Sequence, residues 1–179
     1  MRKKVVPALA VVVLALAAVG ASAFAAGGPR VVMKDACDPA SFNEVIGEGT
    51  CIEGGHPSHV TFGEMIDSLI QHGEHPGWRF TPLHRVVHLG QDVQIDNVGG
   101  EFHTYSRTDE FGGGFVPELN EILGLDEIAD GCLLPPGPTN AFVPAQGMGS
   151  ISTTALGVGT HKFLCCIHPW MKGTLTVRN

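Results

Sequence analysis

Three side chains that bind soft metal ions lie close together near the C-terminus of the chain. Cys165, His168 and Met171 follow the spacing C-x2-H-x2-M, which places a thiolate, an imidazole and a thioether on one short loop. Sulfur ligands combined with imidazole favour copper or zinc over magnesium or calcium. A methionine in a ligand position argues against zinc, which binds thiolate, imidazole and carboxylate donors. The spacing predicts a copper site, and the alternative interpretation is that these side chains only pack in a core.

A second histidine is needed to complete such a site. Trigonal copper sites for one-electron chemistry use two histidines, one cysteine and a weak axial methionine, and the C-terminal loop supplies one histidine. His103 is the candidate for the other, because it follows the Gly99-Gly100 turn after an apolar strand, where an upstream loop can meet the C-terminal loop. We therefore predict a single copper ion held by His103, Cys165, His168 and Met171.

The segment from Thr160 to Val177 resembles the ligand loop of the cupredoxins, the family of small blue copper proteins, and is most similar to that of the amicyanins. The shared features are the ligand spacing, Phe163 two residues before Cys165, a proline and an aromatic residue after the histidine, and a glycine after the methionine. The segment from Asp92 to Thr104 supports the likeness. This resemblance implies a Greek-key β-sandwich, one type 1 copper ion and electron transfer.

The resemblance also implies roles for residues at the edge of the site. In this family the histidine of the C-terminal loop reaches the surface and passes electrons, so His168 would take that role, with redox proteins docking near His168 and Trp170. Many relatives have asparagine after the upstream histidine and serine or threonine after the ligand cysteine, where this chain has Thr104 and Cys166. Because hydrogen bonds near the thiolate tune the redox potential, these replacements leave the potential open.

Five cysteines are an odd number for a protein of an oxidising compartment, where thiols normally pair. A metal ligand accounts for the unpaired one. Neighbouring side chains of a strand face opposite sides, and the C-x2-H spacing favours Cys165 as the ligand. Cys166 then either pairs with Cys132 or stays a buried thiol. Cys37 and Cys51 bracket a short loop that a disulfide would close.

The elements that position the two loops are predicted mainly as short strands. Residues 92–98 alternate between polar and apolar with period two, which indicates a half-buried strand. Further strands are predicted over residues 78–80, 85–89, 150–156, 160–165 and 173–178. A helix with a capping box is expected over residues 61–72. We predict an all-β sandwich with this short N-terminal helix and a long loop insertion over residues 111–149, which includes a helical turn or two near residues 117–125.

The first 25 residues have the composition of a secretory signal peptide. The basic cluster Arg2 to Lys4 precedes the apolar run Val5 to Val19, and the small residues Ala21 to Ala23 end it. The run is shorter than the ~20 residues of a membrane-spanning helix, although an uncleaved anchor is the alternative. We expect export to the periplasm or the cell exterior, with no membrane insertion after cleavage.

Composition restricts the fold and the class of partner. Glycine (24) and proline (12) are frequent, which is typical of a turn-rich β protein. Loss of the signal peptide would remove three basic residues and no acidic one, so the net charge would change from −7 to −10. An acidic chain without a basic run has no electrostatic basis for binding nucleic acid. After cleavage we predict an extension over residues 26–77, irregular up to about residue 55, and a cupredoxin-like domain over residues 78–179.

These features together favour a soluble electron carrier in which copper cycles between Cu(I) and Cu(II) for redox partner proteins. The alternative is a copper-binding module for storage, delivery or sensing outside the cytoplasm. A domain of a multicopper oxidase or nitrite reductase would need further ligands in His-x-His or His-Cys-His arrangements, and the chain has neither. We therefore expect no enzymatic turnover.

Overall fold

The computed structural model describes residues 27–54 and 59–179, which form two β-sheets packed around a shared core. The predicted signal peptide lies outside these residues. Nine strands are formed in the described ranges: β1 (Arg30–Lys34), β2 (Arg79–Thr81), β3 (His84–His88), β4 (Asp92–Asn97), β5 (His103–Thr108), β6 (Asn140–Val143), β7 (Met148–Ser152), β8 (Gly159–Leu164) and β9 (Lys172–Arg178). Nowhere in the same ranges is a helix long and apolar enough to cross a membrane.

The two sheets have the strand orders β2-β1-β4-β7 and β3-β9-β8-β5-β6. β1 runs parallel to β4 and β3 runs parallel to β9, whereas the other neighbours are antiparallel. Because the chain passes repeatedly from one sheet to the other, the fold is a Greek-key sandwich. The predicted fold class is confirmed.

The alternation of polar and apolar residues in β4 places its apolar side chains in the core between the two sheets. Val93 and Ile95 point inward and are completely buried, while the polar residues between them are more exposed. From the second sheet, Tyr105 stacks on Phe163 with ring centroids 4.1 Å apart. Burial of one such large apolar side chain contributes about 1.5–3 kcal/mol to folding.

In the part of the chain that the structure describes, four α-helices flank the sandwich: α1 (Pro39–Val45), α2 (Phe62–His72), α3 (Pro117–Leu123) and the short α4 (Thr153–Leu156). The predicted capping box of α2 is present, and the helix ends at Gly73, whose φ of 74° is in the left-handed region. The predicted helical segment after residue 116 is α3. These two helices confirm the sequence predictions.

The prediction that residues 26–55 are irregular was wrong. This part of the chain forms β1 and α1, and β1 lies inside the first sheet between β2 and β4. Val31 and Met33 face the core. Two inward-facing apolar residues in a segment of five are too weak a pattern to predict a strand unless the strands that pair with it are known. The segment predicted as an N-terminal extension thus contributes a strand to the sandwich.

Two further segments differ from the predictions. The strand expected over residues 150–156 ends at Ser152, because Thr153 turns inward, where its hydroxyl accepts a hydrogen bond from Gly90 N at 2.9 Å, and α4 follows. The excursion of residues 111–149 also contains a 3₁₀ turn over Asp130–Leu133 and the unpredicted strand β6.

Candidate metal centre

The upstream ligand loop is built around a buried carboxylate. His103 begins β5 and is completely buried. Before it, the Gly99-Gly100 turn wraps around Asp35, which accepts hydrogen bonds from two backbone N–H groups of this loop at 2.9 and 3.1 Å. A Cβ on the first glycine would lie 1.7 Å from Asp35 Oδ2, and one on the second would lie 2.2 Å from Ile52 O. Only glycine therefore fits at both positions of the turn.

A disulfide supports the same loop from behind. Cys37 and Cys51 are bonded, as predicted, and a Cβ on Gly100 would lie 2.8 Å from Cys37 Sγ. The bond joins the segment that carries Asp35 to the segment that contacts the glycine turn. The position of His103 thus depends on residues far upstream in the sequence.

The downstream ligand loop is a tight turn between β8 and β9. Cys165 N donates to Met171 O at 3.0 Å, and Met171 N donates to His168 O at 2.8 Å. These two hydrogen bonds draw the loop closed and bring the backbones of the three predicted ligands of the C-x2-H-x2-M spacing together. All three are buried.

The adjacent cysteines have different fates, as strand alternation predicts. Cys166 is bonded to Cys132, and among the described cysteines Cys165 is the free one. The proposed pairing is therefore confirmed. Phe115 N also donates to Cys166 O at 2.5 Å, so the long excursion is attached to the ligand loop by a covalent bond and a hydrogen bond.

Three donor atoms from the two loops face one another. The distance from Cys165 Sγ is 3.6 Å to His103 Nδ1 and 3.8 Å to His168 Nδ1, and the two nitrogens lie 3.2 Å apart. A point equidistant from the three atoms lies about 2.1 Å from each, within the range of about 2.0–2.3 Å at which nitrogen and sulfur bind a first-row metal such as zinc. The donor set and its spacing fit a trigonal metal ion.

Thr104 joins the two loops in the place that the resemblance assigns to other side chains. Its backbone N–H donates to Cys165 Sγ at 3.4 Å, and its hydroxyl accepts from Cys166 N at 2.8 Å. Thr104 therefore provides a hydrogen-bond link between the two loops.

Two carboxylates lie behind the imidazoles, and the sequence analysis missed both. His103 Nε2 is 2.8 Å from Asp35 Oδ2, and His168 Nε2 is 3.5 Å from Glu101 Oε1. The other oxygen of Glu101 accepts a hydrogen bond from Trp78 Nε1 at 2.6 Å. Glu101 follows a turn that was recognised, but Asp35 lies in a segment predicted as irregular, and no local pattern marks it.

These contacts shift the pKa values of the groups in the site. Burial opposes a charge on His103, but hydrogen bonds with Asp35 and Cys165 outweigh it and raise its pKa to about 9. For His168, burial is outweighed chiefly by the charge of Glu101, and the pKa rises to about 10. Burial would raise the pKa of Cys165, yet its contacts with both imidazoles lower it well below its usual range. These contacts therefore favour the thiolate form of Cys165 and the protonated forms of the two imidazoles.

The expectation that His168 reaches the surface was wrong. His168 is 2% exposed and Trp170 is 8% exposed. The Trp170 ring packs against the imidazole with centroids 5.2 Å apart, and Glu101 occupies the side of Nε2. Above the site, α1, α2 and α3 border an apolar groove of about 490 Å³ whose lining includes Phe42, Leu119 and His168.

No family model matches the chain, and no curated protein matches it. Solved structures do match. A purple cupredoxin from Nitrosopumilus maritimus is 13% identical with a TM-score of 0.43, over 84% of this chain and 99% of that chain.

Two other matches are copper proteins of different sizes. A Cu(I) structure of an amicyanin variant is 19% identical with a TM-score of 0.36, over 56% of this chain and 73% of that chain. A copper-containing nitrite reductase from Thermus scotoductus SA-01 is 19% identical with a TM-score of 0.37, over 56% of this chain and 20% of that chain. At such identities and TM-scores nothing about the site follows from the likeness to cupredoxins, and its chemistry is interpreted from its own residues.

Proposed function

We propose that this chain is an exported type 1 copper protein that carries single electrons between redox partners. The observation that supports this most is the convergence of His103 Nδ1, Cys165 Sγ and His168 Nδ1 within 3.8 Å of one another in a buried site. One free thiol beside two disulfides is unusual in an oxidising compartment unless it binds a metal.

Bound copper would supply one-electron chemistry between Cu(I) and Cu(II), and His103, Cys165, His168 and Met171 would hold it. The loops that carry the ligands are held by backbone hydrogen bonds and by two disulfides. Because these supports do not depend on the metal, little has to rearrange when the charge of the site changes.

We propose that partner proteins dock on the face above His168 and Trp170. The apolar groove between the helices reaches His168 there. Since the imidazole is covered, electrons would cross the side chains that cover it rather than leave through an exposed ring edge. Location in the periplasm or outside the cell is part of this proposal, and the two disulfides fit an oxidising compartment.

The decisive measurement is a visible absorption spectrum of the oxidised, copper-loaded protein. We expect an intense thiolate-to-copper band that is lost in Cys165→Ala and in His103→Ala. Cys166→Ala is the matched control, because it removes the neighbouring sulfur atom and breaks its disulfide with Cys132 but leaves the donor triangle. A copper-loaded protein that stays colourless when oxidised, or a band that survives His103→Ala, would overturn the proposal.

Kinetics separate a carrier from the other copper functions. A carrier exchanges electrons rapidly and loses its metal very slowly, whereas a storage or delivery module releases Cu(I) readily to an acceptor. The match to a nitrite reductase makes turnover worth measuring. We expect no nitrite reduction or oxidase activity in the pure protein, and measurable turnover would contradict the assignment as a carrier.

A further inference from the structure

We propose that Asp35 and Glu101 are positioning residues of the metal centre, which orient the two ligand imidazoles from behind and favour Cu(II) over Cu(I) by their negative charge. This inference rests on the proposed function, because it assumes that copper occupies the donor triangle. It predicts a lower redox potential than the same ligands would have without the two carboxylates.

The orientation of His103 is determined from both of its ring nitrogens. Nδ1 faces Cys165 Sγ at 3.6 Å, and Nε2 faces Asp35 Oδ2 at 2.8 Å. The nitrogen that donates its hydrogen to a carboxylate leaves the other nitrogen unprotonated for a metal. Asp35 is itself held by backbone N–H groups of the glycine turn, so the imidazole is held in place by a fixed carboxylate.

His168 has the same arrangement with a weaker contact. Its Nδ1 faces the donor triangle, and its Nε2 lies 3.5 Å from Glu101 Oε1, which is an ion-pair distance rather than a short hydrogen bond. Glu101 is anchored through its other oxygen by Trp78 Nε1. Both ligand imidazoles are thus placed between the thiolate and a carboxylate.

No lysine or arginine in the described part of the chain compensates the charge of these carboxylates. Asp35 is 1% exposed and Glu101 is 4% exposed, and neither forms an ion pair with a lysine or arginine there. Buried charges are normally paired, because leaving one uncompensated is costly. The positive charge that faces them comes through the two imidazoles, from protons or from a metal ion.

A purely structural role does not account for both residues. Asp35 accepts hydrogen bonds from the backbone of the glycine turn. Stabilising this turn would by itself explain the presence of Asp35. Among the described residues, in contrast, the polar partners of the Glu101 side chain are Trp78 and His168.

The oxidation states respond differently to this charge. With Cu(II), a thiolate and two carboxylates, the group has a net charge of −1, and with Cu(I) its net charge is −2. Charge interactions are strong in a buried site because water screens them little. The reduced state is therefore the less favourable one, and the potential is lowered.

The test uses Glu101→Gln and Asp35→Asn in the full protein, with affinities for Cu(II) and Cu(I) measured by chelator competition and the potential measured by redox titration at one pH. Glu101→Gln removes the charge but keeps an oxygen that accepts from Trp78. We expect Cu(II) affinity to fall about 10- to 100-fold, as for other residues that orient metal ligands, and Cu(I) affinity to fall less. A tenfold difference between the two losses raises the potential by about 59 mV for one electron.

Glu110→Gln is the charge control, because its side chain is 86% exposed and pairs with Lys162 at the surface. It should leave affinities and potential as in the wild type. If Glu101→Gln left the redox potential and the Cu(II) affinity unchanged, the inference would be overturned. This test is sufficient even if Asp35→Asn does not fold. If the wild type itself binds no copper, the proposed function fails first, and the two failures are thus distinguishable.

Discussion

At the scale of single residues, adjacent cysteines divide two tasks. Cys165 faces the donor triangle and Cys166 faces away, where it is bonded to Cys132. Both cysteines directly follow β8, and their side chains have different surroundings. Two neighbouring residues thus provide a proposed metal ligand and a covalent support.

His168 differs most from what the family resemblance implies. Its ring is covered by Trp170 and faces Glu101 instead of solvent. Water therefore has little access to the imidazole edge. The consequence is a site whose electrostatics depend on fixed protein charges rather than on solvent.

The raised pKa values of the two ligand histidines predict how copper affinity depends on pH. At pH 7 His103, with a pKa of about 9, and His168, with a pKa of about 10, carry protons that copper must displace, whereas Cys165 is already a thiolate. Affinity should therefore rise with pH by about tenfold per pH unit for each displaced proton, up to about pH 9 for His103 and about pH 10 for His168.

Chelator competition for Cu(II) between pH 6 and pH 10 measures this dependence. Histidines with an ordinary pKa of about 6.5 would give a curve that levels off near neutral pH. Levelling at pH 7 would show that the carboxylates do not hold the imidazoles protonated.

At the scale of elements, the pairing of β5 with β8 brings the two ligand loops together. Ser106 lies opposite Leu164 in this antiparallel pair, and continuing the register places the start of β5 beside the residues after β8. The hydrogen bond from Cys166 N to the Thr104 hydroxyl fits that register. A shift by one residue would turn His103 away from the thiolate.

The glycine turn before β5 is the element most sensitive to substitution. In Gly99→Ala the new Cβ would overlap Asp35 Oδ2, so the carboxylate or the loop must move. Overpacking of this kind typically costs about 1–3 kcal/mol, and His103 would lose its support. We expect lower stability in urea and a large loss of copper affinity.

Gly63→Ala is the matched control for this substitution. Gly63 lies in α2, and a Cβ there would have no atom within 4 Å. Alanine in place of glycine in a helix stabilises by roughly 0.5–1 kcal/mol. If Gly99→Ala were as stable as this control and bound copper as tightly, the close packing around Asp35 would not be needed for stability or for copper binding.

At the scale of the whole molecule, the centre lies at one end of the sandwich under a cover of helices. The groove between α1, α2 and α3 lies above His168, and both disulfides cross-link chain segments that contact the ligand loops. Metal bound in such a site is coupled to the stability of the entire domain.

Copper should accordingly raise the melting temperature. A ligand at 1,000 times its dissociation constant stabilises the folded state by about 4 kcal/mol. A domain of this size gains about 2–4 °C for each kcal/mol, so the melting temperature should rise by roughly 8–16 °C when followed by circular dichroism. Cys165→Ala should lack this increase, and an equal increase in that variant would indicate binding elsewhere.

The sequence alone determined the chemistry of the donors and part of the frame. The C-x2-H-x2-M spacing lies within one loop, and the alternation in residues 92–98 and the capping box of α2 are local signals, so each could be read without a partner. Local turns and side-chain periodicity depend on neighbours in the chain. The choice of His103 was more of an inference, because it required two distant loops to meet.

Only the tertiary structure decided what surrounds the donors. Asp35 is 68 residues from His103 in the chain, and its strand β1 exists because β2 and β4 pair with it on either side. The surroundings of His168 likewise depend on Glu101, which lies beside its Nε2 and is held there by Trp78 from a distant segment. Charge compensation, burial and strand register depend on residues that are far apart in the chain, so they cannot be predicted from a local sequence pattern.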